Sequence, residues 1–171
     1  MTDRRILVVG AGPAGVRAAI TLAQAGDHPV LVDHAPGIGG AVYATLRRSA
    51  HGNVAHAKEA LRLKADFDRL RPQIDLRCGT SFTGLDPQGT ALLTGKAGLI
   101  FKPRAVILAT GARERVRPRP GWTLSGVSTA GALQIALKTA GNLPPNRVII
   151  AGSGALLYAI GAQLTRAGRP P

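Results

Sequence analysis

Cysteine is nearly missing from this sequence: Cys78 is the only one among 171 residues. One thiol excludes, within these residues, an internal disulfide, a thiolate-ligated zinc site and a Cys-x-x-Cys redox pair. Cys78 itself is expected to fill a buried strand position rather than to do chemistry. Aromatic residues are scarce, with three Phe, two Tyr and one Trp. Acids are scarce too: nine Asp and Glu stand against 22 Lys and Arg, a formal charge of +13. The densest basic cluster is Arg113-Glu114-Arg115-Val116-Arg117-Pro118-Arg119-Pro120, and it contains no aromatic residue. A nucleic-acid site would interleave stacking side chains with its cations. Nucleic acid is therefore not expected as a partner, whereas an anionic cofactor or an acidic partner is. No apolar run approaches the roughly 18 uncharged residues of a membrane span. Met1-Thr2-Asp3-Arg4-Arg5 leads straight into an apolar strand and a glycine turn, not a signal-peptide cleavage site, so a cytoplasmic location is expected.

Hydrophobic residues make up 45% of the chain, enough for a real core, and the length suits one domain plus part of another. Arg5 to Gly10, RILVVG, is a continuous apolar run closed by glycine and reads as a buried parallel strand. Pro13 to Ala25 reads as a helix, with proline in its first turn and Gly26 at its stop. Pro29 to Asp33 is a second strand, completing a βαβ unit. Val54 to Leu70 is expected to be an amphipathic helix whose buried face carries Ala60, Leu63, Phe67 and Leu70. IDLRC from Ile74 reads as a third parallel strand, and three further runs up to Phe101 as an antiparallel meander broken by turn residues. RAVILAT, Arg104 to Thr110, returns to a buried strand. Arg113 to Gly121 reads as a linker, and Thr129 to Ala140 as a helix. Val148-Ile149-Ile150 then looks like one more strand, turning through Gly152-Ser153-Gly154 into a helix.

That last segment repeats the first. At a constant offset of 142, Gly10 falls on Gly152, Gly12 on Gly154, Leu22 on Leu164 and Ala25-Gly26 on Ala167-Gly168. A duplicated strand, turn and helix is a stronger signal than either copy alone. The first copy, Gly10-Ala11-Gly12-Pro13-Ala14-Gly15, carries the G-x-G-x-x-G spacing of a Rossmann-type dinucleotide loop. Gly10 permits the sharp turn, Gly12 leaves room for a diphosphate, and Gly15 lets helix and strand approach. Free amides and the helix dipole would hold the phosphates. Asp33 ends the second strand 21 residues after Gly12; its carboxylate can accept both hydroxyls of an adenosine ribose and would repel the extra phosphate of NADP. In the second copy the third glycine position is Leu157, so NAD(P) binding at Gly152 and Gly154 is doubtful and a structural remnant is the better reading. The glycine pattern of the first copy does not by itself distinguish FAD from NAD.

Gly10 to Gly15, Asp33, Gly39-Gly40, Ala109-Thr110-Gly111 and PGWTLSGVSTAGA from Pro120 to Ala132 resemble flavoproteins of the pyridine nucleotide–disulfide oxidoreductase type. Within these, the chain is most similar to the group of hydrogen cyanide synthase, the opine oxidases and the sarcosine oxidase alpha subunit. The resemblance covers essentially the whole chain. It implies an α/β fold: a Rossmann-like FAD-binding domain over 1–120, with a parallel sheet and an inserted meander, followed over 121–171 by the start of a second Rossmann-like domain. It also implies that Gly10, Gly12, Pro13, Ala14 and Gly15 hold the FAD diphosphate and that Asp33 holds the ribose. Gly39 and Gly40 would approach the phosphates from the other side, and Thr110 and Gly111 would lie where the chain passes the cofactor.

Three departures accompany it. Ala41 stands where relatives often carry glutamine. No cysteine pair follows Gly39-Gly40, so these residues hold no dithiol for disulfide reduction. The return segment whose Gly-Asp motif grips the ribityl and flavin end in the family is not in this sequence, and the expectation is an N-terminal piece of a longer flavoprotein or the product of a shortened reading frame. The helix from Ala155 to Leu164 is apolar nearly all round, so it is expected to need a partner surface, from a second flavoprotein subunit or by self-association. Of the histidines, His34 is a candidate to touch the adenosine, and His28, His51 and His56 share no ligand spacing. Arg48 is either a phosphate contact or a solvated residue. Trp122 and Leu124 are expected to pack the crossover between domains. No metal site and no catalytic side chain stand out, since in flavoenzymes the cofactor carries the redox chemistry. Three readings remain: an FAD-dependent oxidoreductase component acting on an amine or amino-acid-like substrate, a nucleotide-binding module without activity of its own, and an NAD-dependent dehydrogenase, which would need the first site to prefer NAD over FAD.

Overall fold

The computed structural model describes residues 5–43, 57–95, 99–140, 144–145 and 147–171. Expectations for Arg48, His51, and the helix start from Val54 to His56 lie outside the described residues. The chain divides into two compact units, Met1–Ala112 and Arg113–Pro171.

The first unit is built on a parallel four-stranded sheet. Its strands are β1 (Ile6–Val9), β2 (Val30–Asp33), β3 (Asp75–Cys78) and β7 (Ala105–Leu108), in the order β3-β2-β1-β7. Between β3 and β7 the chain forms β4 (Thr80–Leu85), β5 (Ala91–Gly95) and β6 (Leu99–Phe101), which pair antiparallel as a meander. β1 and β2 are buried at every position, as apolar runs inside a sheet covered on both faces should be. Strand alternation sorts their side chains into two cores. Val8 and Leu31 pack with Val16, Ala19 and Ile20 of α1 (Pro13–Gln24) and with Leu63 and Phe67 of α2 (Ala57–Leu70). Leu7, Val9, Val30 and Val32 face the other way, onto Ala91 and Leu93 of β5 and Phe101 of β6. The unit is thus three layers: helices, parallel sheet, small antiparallel sheet. The expected face of α2 is borne out, with Ala60, Leu63 and Phe67 buried and Leu70 packed at the margin.

The second unit contains α3 (Ala130–Ala140) and α4 (Leu156–Arg166). The repeat extends to backbone detail at the helix ends. In α1 the Asp27 N–H reaches the Leu22 carbonyl at 3.0 Å around Gly26, at φ +86°; in α4 the Arg169 N–H reaches Leu164 at 2.9 Å around Gly168, at φ +76°. Both are left-handed glycine closures of the Schellman kind, and their residues differ by the same offset of 142.

The repeat fails at the strand. Val148 to Ile150 forms no ladder with any strand among the described residues, and Ile149 is 88% exposed. An apolar run becomes a strand only when a neighbour supplies its hydrogen bonds, and here no described strand does so. Trp122 and Leu124 are exposed. Their turn closes on backbone bonds, Trp122 N–H to Arg119 and Leu124 N–H to Gly121, both 3.0 Å.

Candidate functional site

The glycine turn between β1 and α1 is gripped from three sides. The Gly10 N–H reaches the Val32 carbonyl at 2.8 Å, tying the turn to β2. The Gly39 N–H reaches the Ala11 carbonyl at 2.7 Å, laying the Gly39-Gly40 loop across it. On the β7 side, Ala109 donates to Val9 at 2.8 Å and its carbonyl crowds Gly10. The carboxyl ends of β1, β2 and β7 therefore meet around one loop, the crevice where open α/β sheets take their ligands.

The glycines of that loop have different reasons to be glycine. Gly10 has φ +102°, and a Cβ there would lie 2.3 Å from the Ala109 carbonyl oxygen. A Cβ on Gly15 would lie 1.7 Å from the Gly10 carbonyl oxygen and 3.3 Å from the Ala109 methyl. Both are held bare by the protein itself. Gly12 is not: its φ is −70°, open to any residue, and a Cβ would meet nothing nearer than the Gly40 Cα at 4.0 Å. Opposite it, Gly40 has φ +56°, and its own Cβ would stand 2.9 Å from the Gly12 Cα. The chain therefore keeps clear a space at Gly12 that its own packing does not require.

Donors border that space. Gly12 caps α1 without a side-chain bond and Pro13 has no N–H. Val16 is the first amide returned to the helix, at 2.9 Å from the Gly12 carbonyl. The amides of Ala14 and Gly15 have no acceptor among the described residues. Unpaired first-turn amides at the positive end of a helix dipole form an anion site.

Asp33 lies at the end of β2, only 9% exposed. Its Oδ2 accepts the Ala11 N–H at 2.6 Å and its Oδ1 the Ala35 N–H at 2.7 Å. A buried carboxylate is tolerable because charge-assisted bonds of this kind offset its desolvation. Each oxygen keeps a further lone pair for another donor. His34 is largely exposed, with Nδ1 3.4 Å from Asp33 Oδ1. Cys78 faces Asp33 across the β2–β3 ladder; burial first, and then the Asp33 carboxylate, push its thiol above the ordinary range. A thiol held protonated is a poor nucleophile. Thr110 and Gly111 follow β7 at the same end of the sheet, both exposed, and Gly111 has φ +75°.

Gly10, Gly12, Pro13, Ala14, Gly15, Asp33, Gly39 and Gly40 thus gather at one place, with His34, Thr110 and Gly111 beside it. Side-chain patterns did not reveal the backbone roles of Ala11, which joins Asp33 and Gly39 through its N–H and carbonyl, or of Ala109, which donates to Val9; nothing in an alanine marks such a role. The second loop lacks this construction. A Cβ on Gly152 would meet only the Leu157 side chain, at 3.6 Å, and one on Gly154 nothing within 4 Å. Gly154 has φ +110° where Gly12 has −70°. Among the described residues no group of three or more His, Cys, Asp and Glu could hold a metal ion, and no helix is long and apolar enough to cross a membrane.

Comparison with known proteins identifies the family. Residues 4–169 match the pyridine nucleotide-disulphide oxidoreductase family, a family of FAD- and NAD(P)-binding flavoproteins. The chain is 36% identical over 176 residues to an opine oxidase subunit of Agrobacterium tumefaciens, covering 96% of this chain and 35% of that protein. It is 38% identical over 169 residues to the HcnB subunit of hydrogen cyanide synthase of Pseudomonas aeruginosa, covering 96% and 36%. The chain spans about a third of the length of these relatives. Among solved structures, L-proline dehydrogenase from P. horikoshii superposes with a TM-score of 0.72 at 21% identity, over 98% of this chain and 34% of the other. The flavoprotein disulfide reductase RclA of Escherichia coli, in a Cu(II) complex, gives 0.55 at 20% identity, over 81% and 35%. At such identities these two bear on the Rossmann-like fold alone.

Proposed function

This chain belongs to the pyridine nucleotide-disulphide oxidoreductase family, and from that premise we propose that it is the FAD-holding part of an oxidoreductase acting on an amine or amino-acid-like substrate. The observation that carries the reading is the cleared space at Gly12, faced by Gly40 and bordered by the unpaired amides of Ala14 and Gly15. A diphosphate suits that space in size and charge. Ala14 and Gly15 would donate to it, and Gly12, Pro13, Gly39 and Gly40 would shape its walls. Asp33 would accept the ribose hydroxyls on its remaining lone pairs while holding the loop through Ala11. His34, Thr110 and Gly111 would flank the cofactor. Bound FAD would supply a two-electron acceptor; the residues of this chain bind and orient it.

The name of the opine oxidase relative supports the substrate class, and that relative and HcnB are both named as subunits, which supports a chain that works with a second subunit. Self-association through α4, whose Leu156 and Tyr158 are exposed, is the other arrangement proposed. The test is the visible spectrum of the purified chain after loading with FAD, followed by anaerobic addition of candidate amines, amino acids or NADH. Bound flavin that bleaches supports the reading; a colourless protein that takes up no FAD overturns it.

The coverage of about a third of each relative favours a second reading, a nucleotide-binding module without independent activity. Flavin bound but not bleached by any donor would select that one.

A further inference from the structure

The second unit has an unusual charge balance. Residues 113–171 contain eight Lys and Arg but a single acid, Glu114. That acid is committed: its Oε2 accepts the Gly131 N–H at 2.9 Å, in the first turn of α3. Four of the cations are Arg113, Arg115, Arg117 and Arg119, spaced two residues apart and all exposed. None pairs with an acid among the described residues. Four acids of the first unit are paired within it: Asp27 with Arg104, Asp66 with Arg17 and Arg69, Asp68 with Lys64, and Asp75 with Arg5 and Arg77.

The arginines do not stand alone. Val116, Trp122, Leu124 and Val127, in the same stretch of chain, are 49%, 47%, 66% and 55% exposed. Arginine and tryptophan are the residues enriched at protein–protein interfaces. A single-strand nucleic-acid site would instead set several aromatics among its cations, and Trp122 is the only aromatic residue from Arg113 to Val127.

We propose that Arg113 to Val127 is a docking surface for an acidic stretch of polypeptide on a partner protein, with carboxylates meeting the arginine row and apolar residues meeting Trp122, Leu124 and Val127. Charge complementarity argues for this occupant, because the second unit has no acidic side chain of its own to spare. The inference goes beyond the flavin site and would hold whether or not the amino-terminal loop takes FAD.

The test is fluorescence anisotropy with three labelled probes: a short peptide alternating Glu with Val, the same peptide with Lys for Glu, and an oligothymidylate of equal length. The full chain is expected to bind the acidic peptide, to ignore the basic one, and to weaken as salt rises. Replacing all four arginines by Gln should weaken the acidic peptide at least about tenfold, and Trp122→Ala about threefold. Arg117→Gln with Arg119→Gln serves as the milder variant if the fourfold one misfolds. Peptide binding unchanged in the arginine variants would overturn the proposal, as would tighter binding of the oligothymidylate than of the acidic peptide. Flavin uptake on the same preparations separates the two readings: an arginine-dependent peptide with no flavin bound would sink the cofactor assignment alone.

Discussion

Gly12→Ala separates a glycine kept for a ligand from a glycine kept for the fold. A Cβ at position 12 meets only the Gly40 Cα, at 4.0 Å, and the backbone there is already at φ −70°. The fold should therefore lose only what alanine costs relative to glycine at a helix N-cap, about 1 kcal/mol. The methyl would nevertheless occupy the space assigned to the diphosphate, and FAD affinity should fall about 100-fold or more, close to 3 kcal/mol of binding. Gly15→Ala is the control with the opposite signature. Its Cβ would lie 1.7 Å from the Gly10 carbonyl oxygen, where real contacts stay above 3.0 Å, so α1 must retreat from β1 by more than 1 Å. Overpacking of that kind costs about 1–3 kcal/mol or more, and thermal unfolding should show it directly. Urea or thermal melts paired with FAD titration of both variants read the two quantities side by side. A Gly12→Ala protein that melts like wild type and binds FAD like wild type would refute the reasoning, and so would one that collapses as Gly15→Ala does.

Three further outcomes are expected. Asp33→Asn puts an amide where one oxygen now accepts a backbone N–H at 2.6 or 2.7 Å; leaving that donor unpaired should cost about 1–3 kcal/mol in a denaturant melt, in addition to weaker FAD binding, and an unchanged melt would remove Asp33 from its role in holding the loop. At Asp75, burial raises the pKa, but bonding and attraction from Arg77 and then Arg5 outweigh it and hold the carboxyl below the usual range. The unfolded state then takes up the proton first, so this contribution is present above about pH 4 and drains away as pH falls through the lower folded value; Asp75→Asn should flatten the acid limb of stability against pH, by no more than about 1 kcal/mol for so exposed a cluster, and identical limbs would contradict this. Phe67→Ala should destabilise the first unit by about 3–5 kcal/mol, because Phe67 is 3% exposed and carries the contact of α2 with the α1 and β1 core; a loss under about 1 kcal/mol would mean that α2 is not part of that core.

Much of the first unit was legible because its signals are local. The apolar runs at Arg5–Gly10 and Pro29–Asp33 fall within a residue or so of β1 and β2, and Pro13 and Gly26 mark α1 from both ends. The step of the periodicity picks out Ala60, Leu63 and Phe67, and all three are buried. Val148 to Ile150 carries the same kind of run, yet pairs with no described strand. A strand is completed by its neighbours, and a single run says nothing about them. The loop residues were legible by type and spacing, but the reasons behind them were not. That Gly15 is bare because of the Gly10 carbonyl, and that Asp33 steadies Ala11, are facts of distance between segments 22 residues apart or closer around one turn.

A crystal of this chain soaked with FAD bears most directly on the central claim. The account predicts density for the diphosphate over the Ala14 and Gly15 amides, between Gly12 and Gly40, with the ribose hydroxyls on Asp33. An empty loop, or FAD ordered at Gly152 and Gly154 instead, would contradict it.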